Sequence, residues 1–147
     1  MKQQYDFRQQ SFPRWLQLAN RHLKAAHLLH ESAPQLAAFW YQQAAERYLK
    51  AYLVKRGAAF ENNITNLRNL ADRCRSLNPE FESVVTSSVL DEMSTWQVVF
   101  QYPPVLGESD ALAPDDTTLV CARIVCNLLQ RIVTANDDEH GMPGLDS

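Results

Sequence analysis

The segment opened by Pro34 and closed by Gly57 constrains this chain most. Proline at a first helical position and glycine just past the last are the start and stop of one helix. At about 1.5 Å per residue that helix is about 34 Å long, enough to cross a small domain. At about 100° per residue, Trp40, Tyr41, Ala44, Ala45, Tyr48, Ala51 and Tyr52 fall on one side. Gln43, Glu46, Arg47 and Lys50 fall together on the other, at spacings of three and four that let side chains meet. A fold for this chain must bury the aromatic side and settle whether the polar side is surface or site.

The flanking sequence supplies the layers to do so. Ser11-Phe12-Pro13 opens a helix to about Glu31, with Trp15, Leu18, Ala19, His22, Leu23, Ala26 and Leu29 as its apolar face. Only Ser32-Ala33 separates it from the helix at Pro34, so the two are expected to be antiparallel neighbours. A short helix is predicted from about Thr65 to Leu77, ended by Asn78-Pro79. A fourth runs from about Pro79 to Phe100 with a stripe of Phe81, Val85, Val89, Met93, Trp96 and Phe100, and a short strand at Val98-Val99-Phe100 stays open. Val105 to Pro114 reads as a loop. Asp115-Asp116 can cap a last helix, about Thr117 to Ala135, with Arg123, Asn127, Gln130 and Arg131 outward and Ile124, Val125, Leu128, Leu129, Ile132 and Val133 inward. The expected architecture is all-α: an antiparallel up-and-down bundle of four long helices plus one short one. Residues 1–10 form a polar lead, 11–136 the bundle and 137–147 an acidic tail.

Composition excludes several classes. A chain of 147 residues fits one domain with a real core, and 46% hydrophobic residues argue against wholesale disorder. A net charge of −3 does not suit a protein that coats nucleic acid throughout, though a local basic patch remains compatible with it. No apolar run approaches the roughly 20 residues that span a bilayer, and the first ten residues lack a signal peptide's apolar core, so no membrane partner and a cytoplasmic location are expected. Cys74, Cys121 and Cys126 are odd in number and lack CxxC spacing; Cys121 and Cys126 fall on the apolar side of the last helix, as buried thiols would.

Chemistry-bearing patterns are sparse. No glycine-rich phosphate loop, HExxH or nucleophile elbow occurs. His27 and His30 share a three-residue spacing, but no carboxylate signature beyond Glu31 accompanies them, so neither a metal nor a cofactor is expected. His22 lies within an apolar face and reads as a core histidine. The polar stripe is the best candidate. It is either a solvated face with a Glu46–Lys50 pair, or a groove or seam where an amide and two cations hold a phosphate or base.

Phe39-Trp40-Tyr41-Gln42-Gln43-Ala44-Ala45-Glu46-Arg47-Tyr48-Leu49-Lys50-Ala51 resembles the signature helix of the HEPN family (higher eukaryotes and prokaryotes nucleotide-binding). Gln43, Ala44, Glu46, Leu49, Lys50 and Ala51 match its pattern, with Arg47 in place of the usual lysine. Trp15-Leu16 with Ala19 and Ala26 is similar to the family's first helix, and Gly57 ends the second at the usual place. Two landmarks are altered. Where many members open the third helix with Thr-His-Asp-Leu, this chain has Ile64-Thr65-Asn66-Leu67; where many have Arg-Tyr-Pro after the fourth, it has Gln101-Tyr102-Pro103. The resemblance covers about residues 12–135.

It implies a helical bundle, often dimeric, that binds nucleotides, pairs with a minimal nucleotidyltransferase as toxin and antitoxin, or acts as a metal-independent ribonuclease through an Arg-x4-6-His motif. Arg21 and His27 meet that spacing formally. They lie on the first helix about 120° apart, away from the family's catalytic position. Thr65 and Gln101 remove the imidazole and the cation from the usual places, so no catalytic residue is assigned. The expectation is a non-catalytic nucleotide- or RNA-binding module, acting as a homodimer and with a nucleotidyltransferase partner. Its ligand set would be Gln43, Glu46, Arg47, Lys50, Asn66 and Tyr102. The rival readings are a dimerisation module without a nucleotide ligand, and a ribonuclease toxin.

Overall fold

The computed structural model describes residues 12–61, 63–99 and 114–146, with side chains through Trp96 and Ala135 in the last two stretches. The polar lead, Gln101, Tyr102 and most of the loop before Pro114 lie outside the described residues. Those described form six α-helices and no strand, an all-α bundle as expected. In chain order they are α1 (Phe12–Leu29), α2 (Pro34–Lys55), α3 (Leu67–Leu77), α4 (Glu82–Val85), α5 (Val89–Val99) and α6 (Asp116–Asp146). Val98 and Val99 are helical in α5, which closes the strand alternative there.

Helix α2 is the axis of the bundle, packing against α1, α3, α5 and α6. Pro34 opens it. Its end is a Schellman turn: Gly57 sits at φ 71°, Gly57 N–H donates to Val54 O at 3.0 Å and Ala58 N–H to Leu53 O at 2.8 Å. Tyr41, Tyr48 and Tyr52 are completely buried. Each removes about 150–250 Å² from water, a gross gain of about 4–6 kcal/mol at about 25 cal/mol per Å². Their hydroxyls are paired at the margins of the core. Tyr41 meets His30 Nδ1 at 2.7 Å, Tyr48 donates to Asn20 Oδ1 at 2.5 Å, and Arg56 donates to Tyr52 at 2.6 Å.

Asn20 also accepts from Gln130 at 2.9 Å, and Cys126 Sγ–H donates to Tyr41 O at 3.3 Å. Helix α1 thus runs antiparallel to α2, Asn20 meeting Tyr48 and His30 meeting Tyr41, while α6 lies along both. Asp115 caps α6 as expected, accepting from Thr118 N–H at 2.7 Å, and this bond holds its carboxyl below the usual range.

Three local expectations need correction. The third helix starts at Leu67 rather than about Thr65, because the Asn66 side chain takes the cap position and accepts from Asn69 N–H at 2.8 Å. The predicted fourth helix is broken into a 3-10 turn at Pro79–Phe81 capped by Asn78, then α4, then α5. Thr86 Oγ1 donates back to Glu82 O at 3.0 Å, offering the backbone a local alternative where α4 stops. The stripe survives the break: Phe81, Val85, Val89, Met93 and Trp96 are all buried.

The third correction lies on α6. Cys121 is exposed and Ile124 is 57% exposed, while Ala122, Cys126, Leu129 and Val133 carry the inner face. The stretch Asp116–Ala135 has the length and mean hydropathy, 1.3, of a bilayer span, contrary to the sequence expectation that no run comes close. A helix that packs in a bundle core meets the same length and composition, 39% of this one is buried, and Arg123 interrupts it.

Candidate functional site

The polar side of α2 is not a solvated face. Gln42, Gln43, Glu46 and Lys50 are buried at 0, 9, 3 and 2% exposure. Charges at such depth must be paired, because an uncompensated one costs several kcal/mol. Glu46 provides the pairing. Its Oε2 accepts from Lys50 Nζ at 2.8 Å and from Arg47 Nη1 at 3.0 Å, and its Oε1 from Gln42 Nε2 at 3.1 Å. Gln43 Nε2 donates to Gln42 Oε1 at 2.7 Å, and Gln43 Oε1 accepts from Arg47 Nη2 at 3.5 Å. Bonds at spacings of four, joined by two between chain neighbours, bring all five groups into a single network.

Arg47 is the member that reaches outward, its side chain 24% exposed. Its guanidinium lies 5.8 Å from the Trp15 ring centroid, within cation–π range. Lys50 makes the equivalent approach to Phe60, also at 5.8 Å, under the loop that follows α2. A guanidinium has five N–H donors, and Glu46 and Gln43 engage one each. One carboxylate against two cations leaves the cluster with an excess positive charge that partly faces solvent. Such a charge attracts an anion.

His22 belongs beside this network, which its place in an apolar stripe concealed. Its ring is 4.9 Å from that of Trp40, and its Nδ1 is enclosed without a hydrogen-bond partner among the described residues. Burial first, then the neighbouring Arg47 charge, lower its pKa from 6.5, with a backbone hydrogen bond at Gln43 and then the Glu46 charge opposing. Along the α1–α2 seam the Arg47 guanidinium therefore lies against Trp15, and the neutral His22 imidazole against Trp40, whose half-buried ring meets Phe39 edge-on. Gln42 is the other residue the sequence reading missed. Its amide spacing to Glu46 was legible, but it lay outside the stripe drawn at about 100° per residue.

Asn66 and Tyr102 do not join the network on what is described. Asn66 is exposed and occupied in capping α3. It borders a shallow depression of about 520 Å³ between α3 and the start of α5, with Arg68, Asn69, Asp72 and Asp91. The cations there are already matched, Arg68 to Asp91 at 2.8 Å and Arg73 to Glu61 at 3.4 Å. Tyr102 lies outside the described residues, as does Gln101; Thr65 is half-buried ahead of the α3 cap. The formal pair Arg21 and His27 is exposed on α1.

A second polar cluster closes the far end of α1. His30 is buried, its Nδ1 on Tyr41 OH and its Nε2 3.7 Å from Asp116, whose side chain is 86% exposed. Burial raises the Tyr41 hydroxyl to about 12, against the pull of Arg123. His27 stacks edge-on to Tyr41 at 6.0 Å, and burial followed by the Arg123 charge lowers its pKa. This cluster locks α1, α2 and α6 together. Among the described residues no group of three His, Cys, Asp or Glu side chains is placed to hold a metal.

The family model for the HEPN domain matches residues 12–132, from the start of α1 to the last buried turn of α6. Searches of curated proteins and of solved structures each found no match.

Proposed function

Because the chain belongs to the HEPN domain family, we propose that it is a non-catalytic nucleotide- or RNA-binding module whose ligand meets Arg47. The family match carries this reading. The excess cation at the end of the α1–α2 seam supports the placement. Arg47 would neutralise a phosphate with its remaining donors, and the edge of Gln43 would contact a base or ribose. Glu46 and Lys50 are positioning residues, enclosed at 4 and 3% side-chain exposure: Glu46 Oε2 holds the guanidinium, and Lys50 Nζ fixes that same oxygen. Trp15, Phe39 and Trp40 offer partly exposed rings for a base to stack on.

The module would act as a homodimer in the cytoplasm and associate with a minimal nucleotidyltransferase. These assignments rest on the family resemblance. The ribonuclease alternative is disfavoured by Thr65 and Gln101, which stand where other members carry histidine and arginine.

Calorimetric titration of the wild type and Arg47→Gln with ATP, GTP and a short RNA tests the reading. Heat with at least one ligand, lost in the variant, supports it. No heat with any ligand sinks it, and sedimentation of the same samples decides the dimer. Metal-independent cleavage of RNA by the wild type would overturn the non-catalytic assignment.

A further inference from the structure

Apart from Lys55, whose ammonium lies 5.4 Å from the Phe12 ring centroid, the described lysines and arginines divide into two groups. Arg47 and Lys50 are paired with Glu46, Arg68 with Asp91, Arg73 with Glu61 and Arg75 with Asp72 and Glu82. Arg56 is held by Tyr52 OH and Leu77 O. Arg14, Arg21, Lys24, Arg123 and Arg131 have no ion-pair partner among the described residues, and all five lie on α1 and α6. No carboxylate occurs between 12 and 30 or between 117 and 135, whereas Glu61, Asp72, Glu80, Glu82, Asp91 and Glu92 gather on the α3–α5 side. A net charge of −3 therefore hides a basic face.

The two helices present these cations together. Asn20 bonds Gln130, and His27 senses the charge of Arg123, so α1 and α6 lie side by side and antiparallel. On α1, Arg14, Arg21 and Lys24 repeat at seven and three residues, forming one exposed stripe with Leu28. Arg14 to Leu28 spans about 21 Å of helix axis. On α6, Arg131 is exposed and Arg123 half-exposed beside the seam. Between the cations stand apolar side chains facing water: Leu28 at 72%, Ile124 at 57% and Leu18 at 37%.

We propose that the α1–α6 face is the docking surface for a single-stranded RNA, whose phosphates follow the cation stripe and whose unstacked bases cover the exposed leucines and isoleucine. Unpaired cations in a row release condensed counterions when a polyanion binds, and the interleaved apolar surface suits bases that are not already stacked in a duplex. This goes beyond the reading at Arg47 by assigning a second surface, one for an extended strand. The surface is distinct from the Arg47 end of the α1–α2 seam.

The test measures binding of a fluorescein-labelled 20-nucleotide oligouridylate by anisotropy, from low to moderate salt. The proteins are the wild type, Arg14→Gln/Arg21→Gln/Lys24→Gln, and a control that removes two cations from the α3 side, Arg73→Gln/Arg75→Gln. Each phosphate contact contributes about 0.7 to the slope of log K against log salt for a single strand, so removing three should flatten the slope by about 2. The expected result is that loss in the triple variant alone, with helical content unchanged by circular dichroism. Equal slopes in the wild type and the triple variant, or an equal loss in the control, would overturn the proposal, as would no binding by the wild type at low salt. ATP or GTP heats in the triple variant separate the two readings. Heat retained there with oligouridylate binding unchanged fails the surface and spares the Arg47 site, whereas a flattened slope with no nucleotide heat in any protein does the reverse.

Discussion

Lys50 Nζ donates to Glu46 Oε2 at 2.8 Å one helical turn apart, and both side chains are less than 5% exposed. An i,i+4 pair on a solvated helix contributes a few tenths of a kcal/mol. Enclosed in the bundle, the same pair becomes a condition of folding, because neither charge can return to water without opening α2.

Glu46→Ala should therefore destabilise the protein by about 3–5 kcal/mol, by leaving Lys50 charged and buried. Glu46→Leu/Lys50→Met should recover much of that loss, since an apolar pair of similar size carries no desolvation cost. Urea unfolding of Glu46→Leu, Lys50→Met and the double variant closes the cycle. Equal losses for Glu46→Ala and the double variant would refute the pairing.

Gly57 sits at φ 71°, and beyond its chain neighbours no heavy atom among the described residues lies within 4 Å of where a side chain would begin. Gly57→Ala meets no steric neighbour, so its effect isolates the backbone cost. The expected loss is about 1–2 kcal/mol, the penalty of a left-handed residue with a Cβ, read from the denaturation midpoint. An unchanged midpoint would show that the Schellman turn is not closing α2.

Acid should weaken the fold through His22. Its pKa is lowered in the folded state, so above the unfolded value of 6.5 both states are neutral there and the residue costs nothing. As pH falls below 6.5, the unfolded chain takes up a proton that the folded one resists, and stability declines until the folded pKa is passed. His22→Leu should shallow this decline as pH falls below 6.5, relative to wild type. Parallel pH profiles would remove His22 from the account.

The three thiols should react in order of enclosure. Burial pushes Cys74 and Cys126 far up, and their Sγ–H groups donate to Leu49 O and Tyr41 O. Cys121 is exposed. Native protein treated with iodoacetamide should therefore gain one label, found on Cys121, and two more only after unfolding. Label on Cys126 under native conditions would contradict the packing of α6 on α2.

Asn66→Ala should cost about 1 kcal/mol by removing the α3 cap, while nucleotide titrations remain as in wild type. A lost titration with intact stability would return Asn66 to the ligand set.

The sequence alone determined the helical class and the axis. Pro34, Gly57 and the spacing of Tyr41, Tyr48 and Tyr52 are local signals, and local signals suffice to define a helix and its apolar side. The family pattern in α2 was legible for the same reason, being contiguous. Tertiary structure alone decided what became of the other side. Whether Gln43, Glu46 and Lys50 face water depends on what packs over α2, and no period within a single helix carries that information. The same holds for His22, drawn beside Arg47 by the α1–α2 packing, and for Cys121 and Ile124, left outside because α6 meets α2 through a narrower stripe than its composition suggested. The polar side of α2 proved to be a buried, internally paired network with one cation at its edge, because the bundle surrounds that helix.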